Sequence, residues 1–210
     1  MLVLEHVSHG SLSDLNLRLE PGESAQIVVA SGELKNELRA LLLGWETPRQ
    51  GSVRLFGEAL AALTEDAQLA LYRRVGVVPE NGGLISNLKT WENILLPADY
   101  HQGRTAEAVE TEVAELFRHF GYTDEAIESL MGRLPDGLSL IEKRLAALAR
   151  ARLMNPDILI YDYLFAGLPR ETTGLLLELT RAYHGQKRGR ISLYLLPDDA
   201  LKTRLKTDYA

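Results

Sequence analysis

Apolar residues at Leu34, Leu38, Leu41 and Leu42 follow the spacing i, i+4, i+7 and i+8, which puts them on one face of a helix that Gly44 closes. Before it, Leu15, Leu17 and Leu19 alternate with Asn16 and Arg18, a strand pattern, and Pro21-Gly22 marks a turn into a further strand at 25–29. Residues 2–7 and 53–56 also read as strands, 66–74 as a helix and 75–78 as a strand. Residues 91–132 are helix-rich, with a charged amphipathic stretch at 107–120. A strongly apolar helix is expected at 145–153, then a buried strand at 158–161 ended by Asp162. A helix at about 171–183 and a strand at 191–196 complete the pattern. Strands alternating with helices predict an α/β fold with a parallel core, preceded by antiparallel strands. The helix-only middle predicts an inserted sub-domain, and no internal repeat is visible.

Composition narrows the picture. The chain has 210 residues, 46% of them hydrophobic, enough for one domain with a sub-domain. The net charge of -6 and the lack of a long basic run argue against nucleic acid as a partner. With no cysteine, neither a disulfide framework nor a thiolate metal site is available, which fits the cytoplasm. Met1 leads straight into a strand pattern, so no signal peptide is expected. No apolar run approaches the ~20 residues of a membrane span, so a membrane role is expected to go through a partner. His6, His101, His119 and His184 lack metal-ligand spacing.

Candidate chemistry starts at residues 30–37. Gly32 and Lys35 lie three apart between the apolar run 27–29 and the leucine-striped helix. Strand, turn and helix with a lysine is the layout of a phosphate-binding loop, G-x-x-x-x-G-K-[ST]. Here Val29 and Leu34 stand at its two glycines, and Asn36 at its hydroxyl. Later segments follow in order: 75–84 with Glu80, then Leu88-Lys89-Thr90-Trp91-Glu92-Asn93-Ile94, then Leu138-Ser139, and finally the apolar stretch 145–162.

Together these residues resemble the ATPase subunit of ATP-binding cassette (ABC) transporters over nearly the whole chain. The join of a signature helix to a Walker B strand at 145–162 is the most specific match. Within the family, 93–97 and 164–167 lean toward the bacterial lipid-transport type. The resemblance implies a P-loop NTPase-like core at 1–87 and 155–210 and a helical sub-domain at 88–154, all in one domain spanning 1–210. It also implies a nucleotide site at Gly32, Lys35, Asn36, Glu80 and Asp162. An integral membrane permease would dock on Leu84, Ile85, Leu88 and Trp91, apolar residues in a loop-like segment. A second ABC ATPase subunit, the same or different, would complete a dimer peripheral to the inner face of the cell membrane.

Against the family pattern, several working groups are replaced. Tyr163 stands where the family has its catalytic glutamate, and a phenol with a pKa near 10 is a poor base at neutral pH. Glu80 replaces the Q-loop glutamine, Pro169 the D-loop aspartate and Pro197 the switch histidine. Leu140 and Ile141 replace the signature glycines, and His9 is the nearest candidate for the adenine-stacking aromatic. The chain also stops soon after the last core strand. A left-handed Leu34 would cost about 1–2 kcal/mol, and Glu33 or Glu37 is expected to occupy the phosphate position or to pair with Lys35.

These departures lead to the expectation of a degenerate subunit, structural or regulatory, with little or no ATP hydrolysis and at most weak ATP and Mg²⁺ binding. An ATP-binding transport ATPase with atypical motifs is the alternative. A soluble regulatory protein derived from the same fold is a third reading.

Overall fold

The computed structural model describes residues 1–97 and 106–197, and His101 and the stretch 198–210 lie outside the described residues. Among the described residues, eight strands form two sheets. In the first, β1 (Leu2–His9) is central and antiparallel to both β2 (Leu12–Leu19) and β4 (Gln50–Leu55), and β5 (Glu58–Ala59) closes the edge. The register places Leu4 opposite Leu17 and Val53, so the apolar alternation of three strands falls on one face.

The second sheet is parallel, in the order β3 (Ser24–Val29), β8 (Ile191–Pro197), β7 (Ile158–Asp162), β6 (Val75–Val78). Both central strands are buried and nearly all apolar, as parallel strands covered on two faces must be. The period of two divides them cleanly. Ile158, Ile160, Leu193 and Leu195 join a core with the first sheet and with Leu38, Leu41 and Leu42 of α1 (Gly32–Leu42). Leu159, Tyr161, Tyr194 and Leu196 face the opposite core, built from α3 (Thr90–Leu95), α4 (Ala106–His119), α5 (Asp124–Met131), α6 (Leu140–Leu153) and α7 (Arg170–Gly185). The short α2 (Glu65–Tyr72) precedes β6. The fold is therefore the expected P-loop-like α/β core with an antiparallel sheet at its N-terminal side.

Two helices begin earlier than the apolar pattern suggests, and both for the same reason. Ser139 caps α6 reciprocally with Glu142: the Glu142 N–H donates to Ser139 Oγ (3.4 Å) and the Ser139 N–H to Glu142 Oε2 (2.6 Å). Ser31 caps α1 by accepting the Leu34 N–H on Oγ at 3.2 Å. A good cap satisfies the donors at a helix start, so helix extends past the last core-facing residue.

A buried side chain shapes the loop ahead of α3. Asn93 is fully buried and donates to the carbonyls of Ile85 (3.0 Å), Leu88 (2.9 Å) and Lys89 (3.2 Å), while its Oδ1 accepts the Ile85 N–H at 2.7 Å. Asn93→Ala leaves these backbone groups without their partner. It is expected to destabilise the protein by about 2–4 kcal/mol, read from the midpoint of urea unfolding.

Candidate functional site

The site forms at the carboxyl ends of the parallel strands, where open α/β sheets bind ligands. β3 ends at Val29, β7 at Asp162 and β8 at Pro197, with Val29 and Pro197 directly paired. Just after β3 the chain turns into α1. The first N–H groups of a helix lack intrahelical partners and carry a partial positive charge, a setting for an anion. Gly32, the first residue of α1, opens onto space: a Cβ there would meet nothing within 4 Å.

Lys35 lies one turn in and is almost fully buried at 5% exposure, so its ammonium requires anionic partners. It has two. Nζ donates to Glu80 Oε2 at 2.6 Å and stands 3.2 Å from Asp162 Oδ1. The ammonium also lies 4.4 Å from the centre of the Tyr163 ring, in cation–π range. Arg39, one further turn along α1, donates from Nη1 to Asp162 Oδ2 at 2.5 Å. Asp162 is fully buried, and its Oδ1, though ion-paired, accepts no hydrogen bond. Two cations from one helix face thus converge on one carboxylate at the end of β7.

Arg144 of α6 fixes the other side of the site. Its Nε donates to the Glu80 carbonyl (2.7 Å) and its Nη1 to the Ala166 carbonyl (2.6 Å). Burial pulls this guanidinium below its usual pKa, and the nearby carboxylates Glu80 and Asp162 pull it back up. Its two hydrogen bonds tie the loop after β6 to the loop after β7. Tyr163 follows Asp162 with φ of +51°, a strained value for a bulky side chain. Its ring is buried and its hydroxyl donates to the Val29 carbonyl at 3.4 Å.

Of the five residues expected to form the nucleotide site, Lys35, Glu80 and Asp162 meet directly. Gly32 lies at the open helix start, and Asn36 is exposed one residue past Lys35. Two expectations are corrected. Lys35 pairs with Glu80 and Asp162, not with Glu33 or Glu37; the Glu37 carboxylate instead accepts the Ser11 N–H at 3.0 Å. Glu37 is thereby drawn toward the β1–β2 hairpin, and Glu80 is the carboxylate on the lysine. Leu34 carries no left-handed strain, because the early cap at Ser31 makes it helical. His9 is engaged by Glu46, its Nε2 lying 2.8 Å from the carboxylate.

Arg39 was not singled out by any motif; its signal is only its position four residues after Lys35 on the same helix face. Of the apolar loop residues, Ile85 is exposed, whereas Leu84 and Trp91 lean on the helical core and Leu88 is partly buried.

A lysine at a helix start beneath an open glycine, facing a buried strand-end aspartate, defines a P-loop-type nucleotide-binding fold. A sequence model of the family described as ABC transporter matches residues 12–166, and the chain belongs to that family. It is 34% identical over 171 residues to the methionine import ATP-binding protein MetN of Caulobacter vibrioides, covering 81% of this chain and 50% of that protein. It is also 34% identical over 170 residues to the lipoprotein-releasing system ATP-binding protein LolD 1 of Rhodopirellula baltica, covering 80% of this chain and 71% of that one. The chain spans about half the length of the methionine-import relatives it matches.

In shape it is similar to the dimeric bacterial ABC transporter cassette MJ0796, with a TM-score of 0.78 at 20% identity over 96% of this chain and 97% of that one. It is likewise similar to a post-hydrolysis state of the same cassette bound to ADP and Pi, with a TM-score of 0.77 at 22% identity over 93% and 88% of the two chains. These comparisons overturn the expectation of a degenerate, non-hydrolysing subunit. The relatives are ATP-binding proteins of transport systems. They favour the ATP-binding transport ATPase with atypical motifs.

The ion cluster makes a graded prediction for stability. Asp162→Ala takes the buried carboxylate from both cations, leaving Lys35 only Glu80, and is expected to cost about 3–5 kcal/mol. Glu80→Gln, at a side chain 43% exposed, is expected to cost under about 1 kcal/mol. Paired denaturant titrations measure the difference.

Proposed function

We propose that this chain is the ATP-binding subunit of a membrane transporter and that it hydrolyses ATP with an atypical set of groups. The observation that carries the reading is Lys35, held one turn inside the start of α1 beneath the open face of Gly32 and facing Asp162. A polyphosphate placed there meets helix N–H groups and the lysine ammonium together. The core at 1–87 and 155–210 then carries the nucleotide, and 88–154 forms the helical sub-domain.

The γ-phosphate competes with Glu80 for Lys35. Once displaced, Glu80 is a half-exposed carboxylate beside that phosphate, tethered through its own carbonyl to Arg144. A carboxylate in that place accepts the proton of an attacking water, a task that the buried Tyr163 phenol is poorly suited to. Gly32, Lys35 and Asp162 bind and orient, Asn36 lies at the rim, and Glu80 acts as the base.

For partners, the reading takes a second ABC ATPase subunit and an integral membrane permease seated on the segment with Ile85, Leu84, Leu88 and Trp91, at the cytoplasmic face. The names of the relatives divide between methionine import and lipoprotein release. The lipid-transport leaning of 93–97 and 164–167 belongs with the second.

The test is ATP binding and turnover by the chain purified together with its membrane partner. Binding with steady phosphate release is the expected result, and Glu80→Gln is expected to lower turnover by about 10² or more while ATP still binds. A complex that binds no ATP overturns the proposal.

A further inference from the structure

The fold family implies a divalent cation beside the nucleotide, and the residues here do not fit one. Its natural anchor, Asp162, is fully buried, with Oδ2 on Arg39 at 2.5 Å and Oδ1 on Lys35 at 3.2 Å. The position that carries a hydroxyl ligand in the P-loop pattern holds the amide Asn36, which is exposed. Glu80 is drawn to Lys35 at 2.6 Å. A dication entering here would sit at ion-pair distance from an ammonium and a guanidinium, where like charges repel steeply in a partly desolvated site.

We propose that this site takes the nucleoside triphosphate as the metal-free anion, with Arg39 holding the charge on Asp162 that a divalent cation would otherwise hold. The inference rests on the ATP-binding reading above and concerns the form of nucleotide bound. Charge balance supports it. Lys35, Arg39 and the neighbouring Arg144 outnumber Glu80 and Asp162, so these five groups carry one net positive charge before nucleotide arrives. The two carboxylates differ in freedom. Glu80 is 43% exposed and moves into water when a phosphate takes Lys35, whereas Asp162 has no exposure and stays. With Glu80 displaced, the incoming polyanion meets Lys35 and the start of α1. Asp162 does not repel it, because Arg39 remains in place. Arg39 is itself pinned, with its side chain 26% exposed and its guanidinium 5.9 Å from the Trp45 ring.

The test is a calorimetric titration of the full chain with ATP in two buffers, one with excess Mg²⁺ and one with EDTA. The expected result is an affinity at least about tenfold higher in EDTA, because excess Mg²⁺ holds ATP as the complex that the site does not take. An affinity that is equal in the two buffers, or lower in EDTA, overturns this inference and leaves the ATP-binding reading standing. Absence of binding in both buffers overturns the two together. The variant Arg39→Gln frees Oδ2 of Asp162, and its preference is expected to reverse, with binding tighter in Mg²⁺ than in EDTA by about tenfold or more. A folded variant that still binds more tightly in EDTA counts against Arg39 as the stand-in. If the variant fails to fold, the two-buffer comparison on the unaltered chain still decides.

Discussion

Everything at the strand ends depends on the charge of one carboxylate. Asp162 is fully buried at the end of β7, in a strand otherwise made of apolar residues. An isolated carboxylate in that environment is untenable, so the chain must bring cations to it. Both come from α1, which explains why α1 needs a lysine and an arginine one turn apart on the flank of its leucine stripe. Lys35, being buried in turn, draws Glu80 from the loop after β6. Glu80's carbonyl receives Arg144 from α6, and Arg144 closes the circuit at Ala166. A single buried charge thus links a helix, two loops and a second helix from distant parts of the chain.

The same chain of partners explains what was legible in the sequence. The leucine stripe of α1, the alternation in β1 and β2 and the apolar runs of β7 and β8 are local patterns, and they predicted the fold. The strand–turn–lysine layout marked the site. The partners of Lys35 were not legible, because Glu80 and Asp162 approach from far along the chain. Proximity in sequence suggested Glu33 and Glu37 instead, and Glu37 is held by the hairpin N–H of Ser11. The strain assigned to Leu34 failed for a different reason: it assumed an open loop where the Ser31 cap starts a helix.

A position-by-position match to the family's groups is a poor guide to this site. Such a comparison counts Tyr163 as a lost base, but a role is set by a place in space. Glu80 brings a carboxylate to the same cluster from another segment, at 2.6 Å from the lysine. Tyr163 in turn has work of its own. It donates to the Val29 carbonyl and lays its ring along the lysine, joining β3 to β7. Its left-handed backbone is the kind of strain that the surrounding packing must hold in place.

The loop wound around Asn93 has a mechanical consequence. Three carbonyls and one N–H of residues 85–89 are fastened to a single amide on α3. The exposed Ile85 therefore cannot yield separately from the helix behind it. Residues 85–89 are thereby tied by hydrogen bonds to α3, which itself packs on the helical core.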